Sequence, residues 1–440
     1  MTIDAPGATP SVPARHVAAV VAGSALEFYD FVTYSFFAVY IGRAFFPSNV
    51  PSASLLASLA TFGVGFVTRP IGAFVIGGMG DRVGRKPAMV LCFSLMGISI
   101  TGLALTPSHA RIGVAAPVLV IFFRLLQGFA LGGDVGPTTS FLLEAAPANR
   151  RGFYTAFQSW SQSVATLGSG LVGFGLSSLL SEKQLQDFGW RIAFLSGAVI
   201  IPFGLWLRRD LPETFRAPAG VKGERVALRP HLWVAFLCVI LLANGTIGTY
   251  VRNYITTYAI ATLHMPANVA FGATIVVGLT GLAFGLVSGI LADRFGRKPV
   301  MVLFGTLSLL SIVPCFYVIS HYRTTATLLG ATTVLSSLAG MSISPIITSL
   351  SESLPAAIRS GGVAVVYAVA ITVFGGTTQY AVTWLIRATG NPLAPAWYWT
   401  VSAAIALAAM IAMRETLPRE LRQPRTWNAV NQREAVALDD

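Results

Sequence analysis

Asp81-Arg-Val-Gly-Arg-Lys-Pro-Ala-Met-Val90 recurs 212 residues later as Asp293-Arg-Phe-Gly-Arg-Lys-Pro-Val-Met-Val302. Three markers in register predict an internal duplication of the chain. The second and third markers keep nearly the same spacing: Glu144-x-x-Pro147 recurs as Glu352-x-x-Pro355, and Leu211-Pro212 recurs as Leu417-Pro418. We expect residues 1–208 and 231–440 to form two similar halves, and residues 209–230 to link them.

The composition places both halves in a membrane. Hydrophobic residues make up 54% of the 440 residues and charged residues 11%, whereas about 25% is usual in soluble proteins. The net charge of +12 comes from short basic clusters between apolar stretches, a pattern of membrane topology rather than of nucleic-acid binding. Cys92, Cys238 and Cys315 lie singly in apolar runs, so neither disulfides nor a metal site is indicated.

Twelve apolar segments are long enough to cross the membrane as helices, which takes about 20 residues. They predict an all-α polytopic membrane protein with six helices in each half. Residues 1–13 lack the basic region of a signal peptide, so we expect the first segment to remain as helix 1. The predicted spans are 17–42, 54–78, 88–106, 114–142, 154–180, 190–207, 232–262, 268–291, 300–319, 325–350, 361–386 and 396–413.

The basic residues predict the orientation. The termini and the loops that follow even-numbered helices hold 21 of the 30 Lys and Arg residues. Because cytoplasmic loops retain Lys and Arg, both termini are expected in the cytoplasm, with the protein in a bacterial inner membrane.

The repeated cluster also resembles a known family. Gly77-Gly-Met-Gly-Asp-Arg-Val-Gly-Arg-Lys86 resembles the G-x-L-x-D-R-x-G-R-R/K motif of the major facilitator superfamily, and the copy at Asp293 resembles its weaker repeat. The resemblance covers essentially the whole chain. It implies a secondary transporter of two pseudo-symmetric six-helix halves, with its substrate site between them near the middle of the membrane.

Within that superfamily, three segments resemble the metabolite:proton symporter family, whose members import citrate, 2-oxoglutarate, shikimate, proline or betaine. These are Leu26-Glu-Phe-Tyr-Asp-Phe31, Thr68-Arg-Pro-Ile-Gly72 and Arg124-Leu-Leu-Gln-Gly-Phe129. The order of the Arg124 segment, Asp134 and the stretch from Gly152 to Gln162 is most similar to the citrate and tricarballylate branch. Arg252 departs from that branch, which indicates either a different carboxylate or a position nearer the external end.

Three arginines within the predicted spans are candidate substrate ligands. A charge held in the bilayer costs about 3 kcal/mol or more, so it needs a partner, a water-filled cavity or a function. Arg124 is the first candidate, because the planar guanidinium matches a carboxylate; alternatively, it bonds backbone carbonyls of neighbouring helices. Arg69, next to Pro70, could instead be structural, and Arg252 could instead form an ion pair at the external gate.

Three acidic residues are candidate proton carriers. Glu27 and Asp30 are three residues apart and Tyr34 follows four later, so all three share a face of helix 1, on which Tyr34 could contact substrate. Two close, partly desolvated carboxylates can hold a proton near neutral pH. Alternatively, they only pair with arginines to hold helices together. Asp134 in helix 4 is the further candidate.

Helix 5 carries a polar stripe that could extend the substrate site. Its positions follow helical spacing and suit a ligand with several oxygens, although polar and small residues also join helices. The stripe consists of Gln158, Ser161, Gln162, Ala165 and Ser169, of which Gln158 and Gln162 are the candidate ligands. For Tyr250, Tyr254 and Tyr258 in helix 7, and for Tyr367 and Gln379 in helix 11, packing or gating is favoured over contact with substrate.

The repeated clusters are expected to act in gating. The resemblance implies that Asp81 with Arg85, and Asp293 with Arg297, form cytoplasmic ion pairs that favour the outward-facing state. The alternative is simple anchoring by positive charge.

Other function classes lack support in the sequence. No nucleotide-binding loop, paired-histidine metal motif or nucleophile elbow is present, so we expect neither catalytic residues nor a metal site. The expected protein is a monomeric importer of an organic anion such as citrate, driven by the proton gradient without a cofactor, in contact with lipid and not with nucleic acid. The alternatives are a symporter for betaine or proline, one for a monocarboxylate such as shikimate, and a receptor that binds without transport.

Overall fold

The computed structural model describes residues 14–82, 85–133, 142, 151–209, 232–353, 366 and 368–416, and all regular secondary structure in them is helical. Apart from short helices at His109–Ile112 and Glu182–Gln184 and a π-helical turn at Leu185–Gly189, these helices occupy twelve positions, of which the first two each contain two consecutive pieces. The bounds are α1 (Ala14–Phe36 and Ala38–Phe45), α2 (Pro51–Val67 and Arg69–Arg82), α3 (Arg85–Leu105), α4 (Ala115–Gly132), α5 (Arg151–Leu179), α6 (Trp190–Arg209), α7 (Leu232–Ala261), α8 (Ala267–Phe295), α9 (Arg297–Tyr322), α10 (Thr325–Ser353), α11 (Gly376–Thr389, after a π-helical turn Ile371–Gly375) and α12 (Ala394–Ala412).

The all-α polytopic prediction is confirmed. Among the described helices, eight are long and apolar enough to cross a membrane by length and composition alone. The other four helices, α1, α3, α5 and α6, have shorter apolar stretches or more polar residues than these eight. They lie in four of the predicted spans. Residues 210–231, which contain most of the predicted linker, lie outside the description.

The prediction of a loop between helices 8 and 9 is wrong. Residues 292–299 were expected to be irregular, but α8 continues to Phe295 and α9 begins at Arg297. Gly296 alone separates the two helices, with a φ of +101°, which glycine adopts without the steric cost that other residues incur. The carboxylate of Glu415 accepts hydrogen bonds from the backbone N–H groups of Arg297 and Lys298, each at 3.0 Å, and so caps α9.

Aromatic side chains fill the core of the first half. Phe31 of α1 packs against Phe62 and Phe66 of α2, with ring centroids 4.9 and 5.0 Å apart. Large apolar residues also cover the outer faces of the helices, where Phe74 and Leu310 are largely exposed. Such a belt of exposed apolar side chains suits contact with lipid.

The halves close against each other on one side of the molecule. We name this side external, following the orientation that the basic residues predict; it carries the ends of α1 and α7 and the beginnings of α2 and α8. Here Ala38 and Leu59 of the first half pack with Tyr254 and Tyr258 of the second. The Thr257 hydroxyl donates to the Ser35 carbonyl at 3.2 Å.

Two glycines allow α2 and α11 to touch through their backbones. A Cβ built on Gly63 would lie 2.4 Å from the carbonyl oxygen of Gly376. No larger residue fits at Gly63 without moving the helices apart. We call the packing of Ala38, Leu59, Tyr254 and Tyr258 the external seal; a direct backbone contact between the halves lies one helical turn from Leu59.

Candidate substrate cavity

A cavity of about 160 Å³ lies between the halves. Phe28 and Val32 of α1 form part of its wall, and Ile346, Ile347 and Met410 extend it toward the opposite, cytoplasmic side. Its polar lining comes from both halves: Arg69, Ser159, Gln162, Ser163 and Thr166 from the first, and Asn244, Thr246, Thr249, Tyr250, Arg252 and Asn253 from the second. A ligand there would touch both halves at once.

Arg252 brings a positive charge to the second half of this lining. Its guanidinium donates to the carbonyls of Gly248 at 3.0 Å and Ser336 at 3.3 Å, and to the Thr249 hydroxyl at 3.2 Å. These neutral contacts fix its direction. No carboxylate in the described part of the chain pairs with Arg252. An anion in the cavity would therefore meet a positioned cation that no carboxylate of the described residues neutralises.

Arg69 brings the corresponding charge from the first half. It begins the second piece of α2, directly before Pro70, which cannot donate a backbone hydrogen bond. Its guanidinium carbon lies 4.1 Å from the ring centroid of Phe66 and 4.4 Å from that of Phe31. The two rings hold the guanidinium by cation–π contact at the edge of the cavity.

The two faces of α1 have different surroundings. Phe28 and Val32 line the cavity, whereas Asp30 and Tyr34 are absent from its lining and almost completely buried, at 1% and 0% exposure. Glu27 is also buried, at 3% exposure. The acidic face predicted from the sequence exists, and at Asp30 and Tyr34 it faces the interior of the first half.

Arg124 lies in that interior and not on the cavity. It is fully buried and donates to the Gln127 side-chain oxygen and, at 3.3 Å, to the Phe62 carbonyl. Its guanidinium carbon lies 4.5 Å from the centroid of the Tyr34 ring and 4.8 Å from that of Phe31. It interacts electrostatically with Asp30. In this conformation Arg124 and Tyr34 contact each other, and their contact with substrate stays a prediction.

Comparison with known proteins agrees with this architecture. Residues 20–285 match the model of the Major Facilitator Superfamily, and residues 220–427 match that of the Sugar (and other) transporter family. The chain belongs to the major facilitator superfamily. It is 36% identical over 400 residues to a citrate-proton symporter of Klebsiella pneumoniae, with 88% of each chain covered. The resemblance to the citrate branch is thereby confirmed.

Other relatives in the superfamily have different names. The chain is 32% identical over 418 residues to an alpha-ketoglutarate permease of Escherichia coli, covering 92% of this chain and 95% of the relative. It is 31% identical over 432 residues to a proline/betaine transporter of the same species, covering 93% and 85%. These relatives are transporters, not enzymes.

A solved structure confirms the twelve-helix fold of two halves. The crystal structure of a D-xylose-proton symporter superposes on this chain with a TM-score of 0.76. The superposition covers 92% of this chain and 98% of the symporter. The sequence identity is 20%, so the likeness concerns the fold alone.

Helix α5 presents polar residues on two faces, and only one faces the cavity. Gln162 lines the cavity as predicted, together with Ser159, Ser163 and Thr166, which the sequence analysis missed. Ser161 and Ser169 from the predicted stripe instead join α5 to α1. The Ser161 hydroxyl donates to that of Ser24 at 3.3 Å, and the hydroxyls of Ser169 and Thr33 are hydrogen-bonded at 2.9 Å. Periodicity alone does not separate two polar faces of one helix.

The second copy of the superfamily cluster forms a compact charged network. Arg297 is buried and pairs with Asp293 at 3.0 Å and with Glu352 at 3.2 Å. The second carboxylate oxygen of Asp293 accepts from the backbone N–H of Phe153, at the start of α5, at 3.2 Å. The network therefore joins α8, α9 and α10 of the second half, and the hydrogen bond to Phe153 extends it to the first half.

The remaining predicted residues cannot be placed. Asp134 and Tyr367 lie outside the described residues, as do the side chains of Asp81, Arg85 and Gln158. Their predicted roles stay predictions.

Asn244 and Asn253 of α7 also line the cavity, and the sequence analysis did not single them out. An asparagine in an apolar helix was the available signal, because its amide needs polar partners in lipid. The amide oxygen of Asn244 accepts from the Ser402 hydroxyl at 3.2 Å.

Proposed function

We propose that the protein imports an organic di- or tricarboxylate, such as citrate, together with protons by alternating access. The observation that carries the proposal is the pair of arginines on one cavity, Arg69 from the first half and Arg252 from the second. Carboxylates at two positions of a substrate could contact both arginines. Binding would then join the halves through the substrate itself.

The charges of the cavity support an anion over a zwitterion. A guanidinium inside the membrane is costly unless an opposite charge accompanies it. Arg252 has only neutral partners in the described residues, and the quaternary ammonium of betaine would add a third cation to the two arginines. A di- or tricarboxylate supplies the missing negative charge, and Gln162 with the hydroxyls of α5 offers hydrogen bonds to its remaining oxygens.

We assign proton binding to Asp30 first and to Glu27 second, with Asp134 as the further candidate. Asp30 is buried close enough to Arg124 for electrostatic interaction. Gain and loss of a proton at Asp30 would change the net charge of this buried group and so bias the arrangement of the helices around it.

The gating roles of Asp81, Arg85, Asp293 and Arg297 are part of the same proposal. Asp293 links α8, α9 and α5 at their cytoplasmic ends, and separation of the halves there would break its bond to Phe153. The proposed setting is a bacterial inner membrane with both termini in the cytoplasm, and a monomer driven by the proton gradient without a cofactor.

The similarity to a proline/betaine transporter supports a second candidate, a symporter for a zwitterion. The alternatives differ in the net charge of the substrate. Transport of a monocarboxylate would show as accumulation of labelled shikimate in the same experiment, and a receptor would show binding without accumulation.

The test is uptake by purified protein in proteoliposomes with an inward proton gradient. We expect accumulation of labelled citrate, tricarballylate or 2-oxoglutarate that an ionophore abolishes, and no accumulation of betaine or proline. Protein-free liposomes and liposomes without a gradient are the controls. Accumulation of betaine or proline alone would replace the proposal by the second candidate, and binding without accumulation would indicate a receptor.

A further inference from the structure

One buried ring contacts two arginines of the first half. The ring centroid of Phe31 lies 4.4 Å from the guanidinium carbon of Arg69 and 4.8 Å from that of Arg124. The two neighbouring rings contact one of these arginines each: Phe66 lies 4.1 Å from Arg69, and Phe62 lies 5.0 Å from Arg124. All three phenylalanines are buried. Among the described residues, Phe31 is therefore the ring that Arg69 and Arg124 share.

The two arginines lead to two different sites. Arg69 is part of the lining of the substrate cavity. Arg124 lies in the interior of the first half and interacts electrostatically with Asp30, the residue before Phe31 in α1. Arg69 and Arg124 also act electrostatically on each other. Each step from the cavity to the proposed proton site is thus a contact or an electrostatic interaction in the structure.

The Phe31 ring offsets the repulsion between the two guanidiniums. Their distances from one centroid place the guanidinium carbons at most about 9 Å apart, where like charges repel each other strongly if little water is present. The face of an aromatic ring carries partial negative charge and attracts each cation. The shared ring therefore keeps Arg69 and Arg124 close enough for a change of charge beside one to act on the other.

Few other charges surround Asp30. The described side chains of α3 and α5 bring no charge to this region, and tyrosines ordinarily stay neutral near pH 7. Of the described side chains there, only the two carboxylates can therefore change their charge near neutral pH. Besides Arg69 of α2 and Arg124 of α4, the charged or titratable groups on the helices around Asp30 are Glu27, Tyr29 and Tyr34 of α1, Tyr250 of α7, Arg191 at the external end of α6, and Arg252 of α7, on the cavity.

We propose that Phe31 is a positioning residue that couples the two sites: by holding Arg69 close to Arg124, it lets protonation of Asp30 strengthen the binding of a carboxylate substrate at Arg69. The inference rests on the proposed function, in which Asp30 takes the proton and the cavity takes the substrate. While Asp30 is ionised, it compensates the charge of Arg124. Once its carboxylate has gained a proton from water, the charge of Arg124 adds to that of Arg69, and an anion in the cavity is held more tightly. By linkage, a bound anion raises the proton affinity of Asp30 by the same factor.

Calorimetric binding to the purified protein at about pH 6 and about pH 9, on either side of neutrality, measures this coupling. The probe is whichever of citrate, tricarballylate and 2-oxoglutarate binds most tightly. We define the pH ratio as the affinity at the lower pH divided by the affinity at the higher pH. The wild type should have a pH ratio about tenfold larger than that of Asp30→Asn, the size expected when one charge changes at roughly 10 Å. Asp30→Asn is neutral at both pH values, so its pH ratio accounts for titration of the probe itself.

Fluorination of the Phe31 ring tests the role of this residue. Phenylalanine derivatives with one, two or three fluorine atoms keep nearly the size of the ring and withdraw the negative charge from its face. Introduced at position 31, they should lower the pH ratio stepwise, to within about twofold of the Asp30→Asn value with three fluorine atoms. Phe31→Leu, which removes the ring, should lower the pH ratio at least as far. Because the fluorinated rings preserve the packing, the test does not depend on the folding of Phe31→Leu.

The same fluorinated series at position 62 is the matched control, because the buried ring of Phe62 contacts Arg124 and not Arg69. It should leave the pH ratio at the wild-type value. An unchanged pH ratio in the Phe31 series, or an equal decline in both series, would overturn the inference alone. A wild-type pH ratio equal to that of Asp30→Asn would overturn the proposed proton site, and the inference with it. Absence of binding of all three carboxylates would overturn the proposed function itself.

Discussion

Arg252 is the residue through which the proposed substrate selectivity can be measured. Arg252→Gln keeps a hydrogen-bonding side chain and removes the charge. We expect the affinity for a tricarboxylate to fall about 10- to 100-fold, or about 1.4–2.8 kcal/mol, and that for a monocarboxylate to change much less. Competition by ligands with one, two or three carboxylates measures the difference.

Arg191→Gln is the matched control for this prediction. Arg191 also donates to backbone carbonyls, those of Asp187 and Thr106 at 3.0 and 2.9 Å, but it is not part of the cavity lining. An equal loss for all ligands in Arg252→Gln, or the same pattern in Arg191→Gln, would show that Arg252 is structural.

Asp30 is the residue at which coupling can be broken. Asp30→Asn resembles the protonated carboxyl in size and charge, so the variant should still exchange substrate across the membrane. It should no longer accumulate substrate against a gradient. Glu27→Gln is the parallel variant, and both are assayed for uphill uptake and for exchange. If both accumulate substrate like wild type, the proton site lies elsewhere, with Asp134 next.

For Arg124, the sequence predicts that the side chain needs a partner but not which residues provide it. The sequence indicates that a guanidinium within a membrane span needs a partner, and the structure provides Gln127, the Phe62 carbonyl and the Tyr34 ring. Two of these partners come from other helices, α1 and α2. Their approach depends on tertiary packing, which the sequence of α4 does not contain.

At the scale of elements, hydropathy located the helices and missed the junction of α8 and α9. Helix α7 was predicted over 232–262 and is observed as Leu232–Ala261, because a long apolar run has only one way to satisfy its backbone in lipid. The charged residues from Asp293 to Lys298 indicated a loop. Apart from Gly296 they are helical, and Glu415, far away in sequence, binds the N–H groups at the start of α9.

Gly296 makes this junction testable. Gly296→Ala places a residue at φ +101°, with a Cβ 2.7 Å from a carboxylate oxygen of Glu415. The expected cost is about 2–3 kcal/mol, at the upper end for backbone strain. Gly113→Ala is the control, because its φ is +57° and no atom lies within 4 Å of the added Cβ. Thermal unfolding in detergent measures both, and equal midpoints would show that the Glu415 contact is unimportant.

At the scale of the whole molecule, the contact of Gly63 with Gly376 predicts a way to hold the external side open. Gly63→Trp places a large ring where the backbones touch, so closure of the halves there should become impossible. We expect a cysteine at position 59, buried in the external seal, to react with a water-soluble maleimide at least about tenfold faster in this variant.

Gly175→Trp in α5 is the control, because no atom lies within 4 Å of a Cβ at that position. Both variants are made in a background without Cys92, Cys238 and Cys315. Similar reactivity in the two variants would mean that the halves separate externally without breaking the glycine contact.

Helix α1 has a further consequence for how proteins of this kind diversify. Phe28 and Val32 face the cavity, while Asp30 and Tyr34 are buried on another side of the same helix. Mutations on the cavity side can therefore accumulate without touching the buried carboxylate. With the proton site proposed at Asp30 and the substrate site proposed at the cavity, selection can change the substrate while the energy source stays the same.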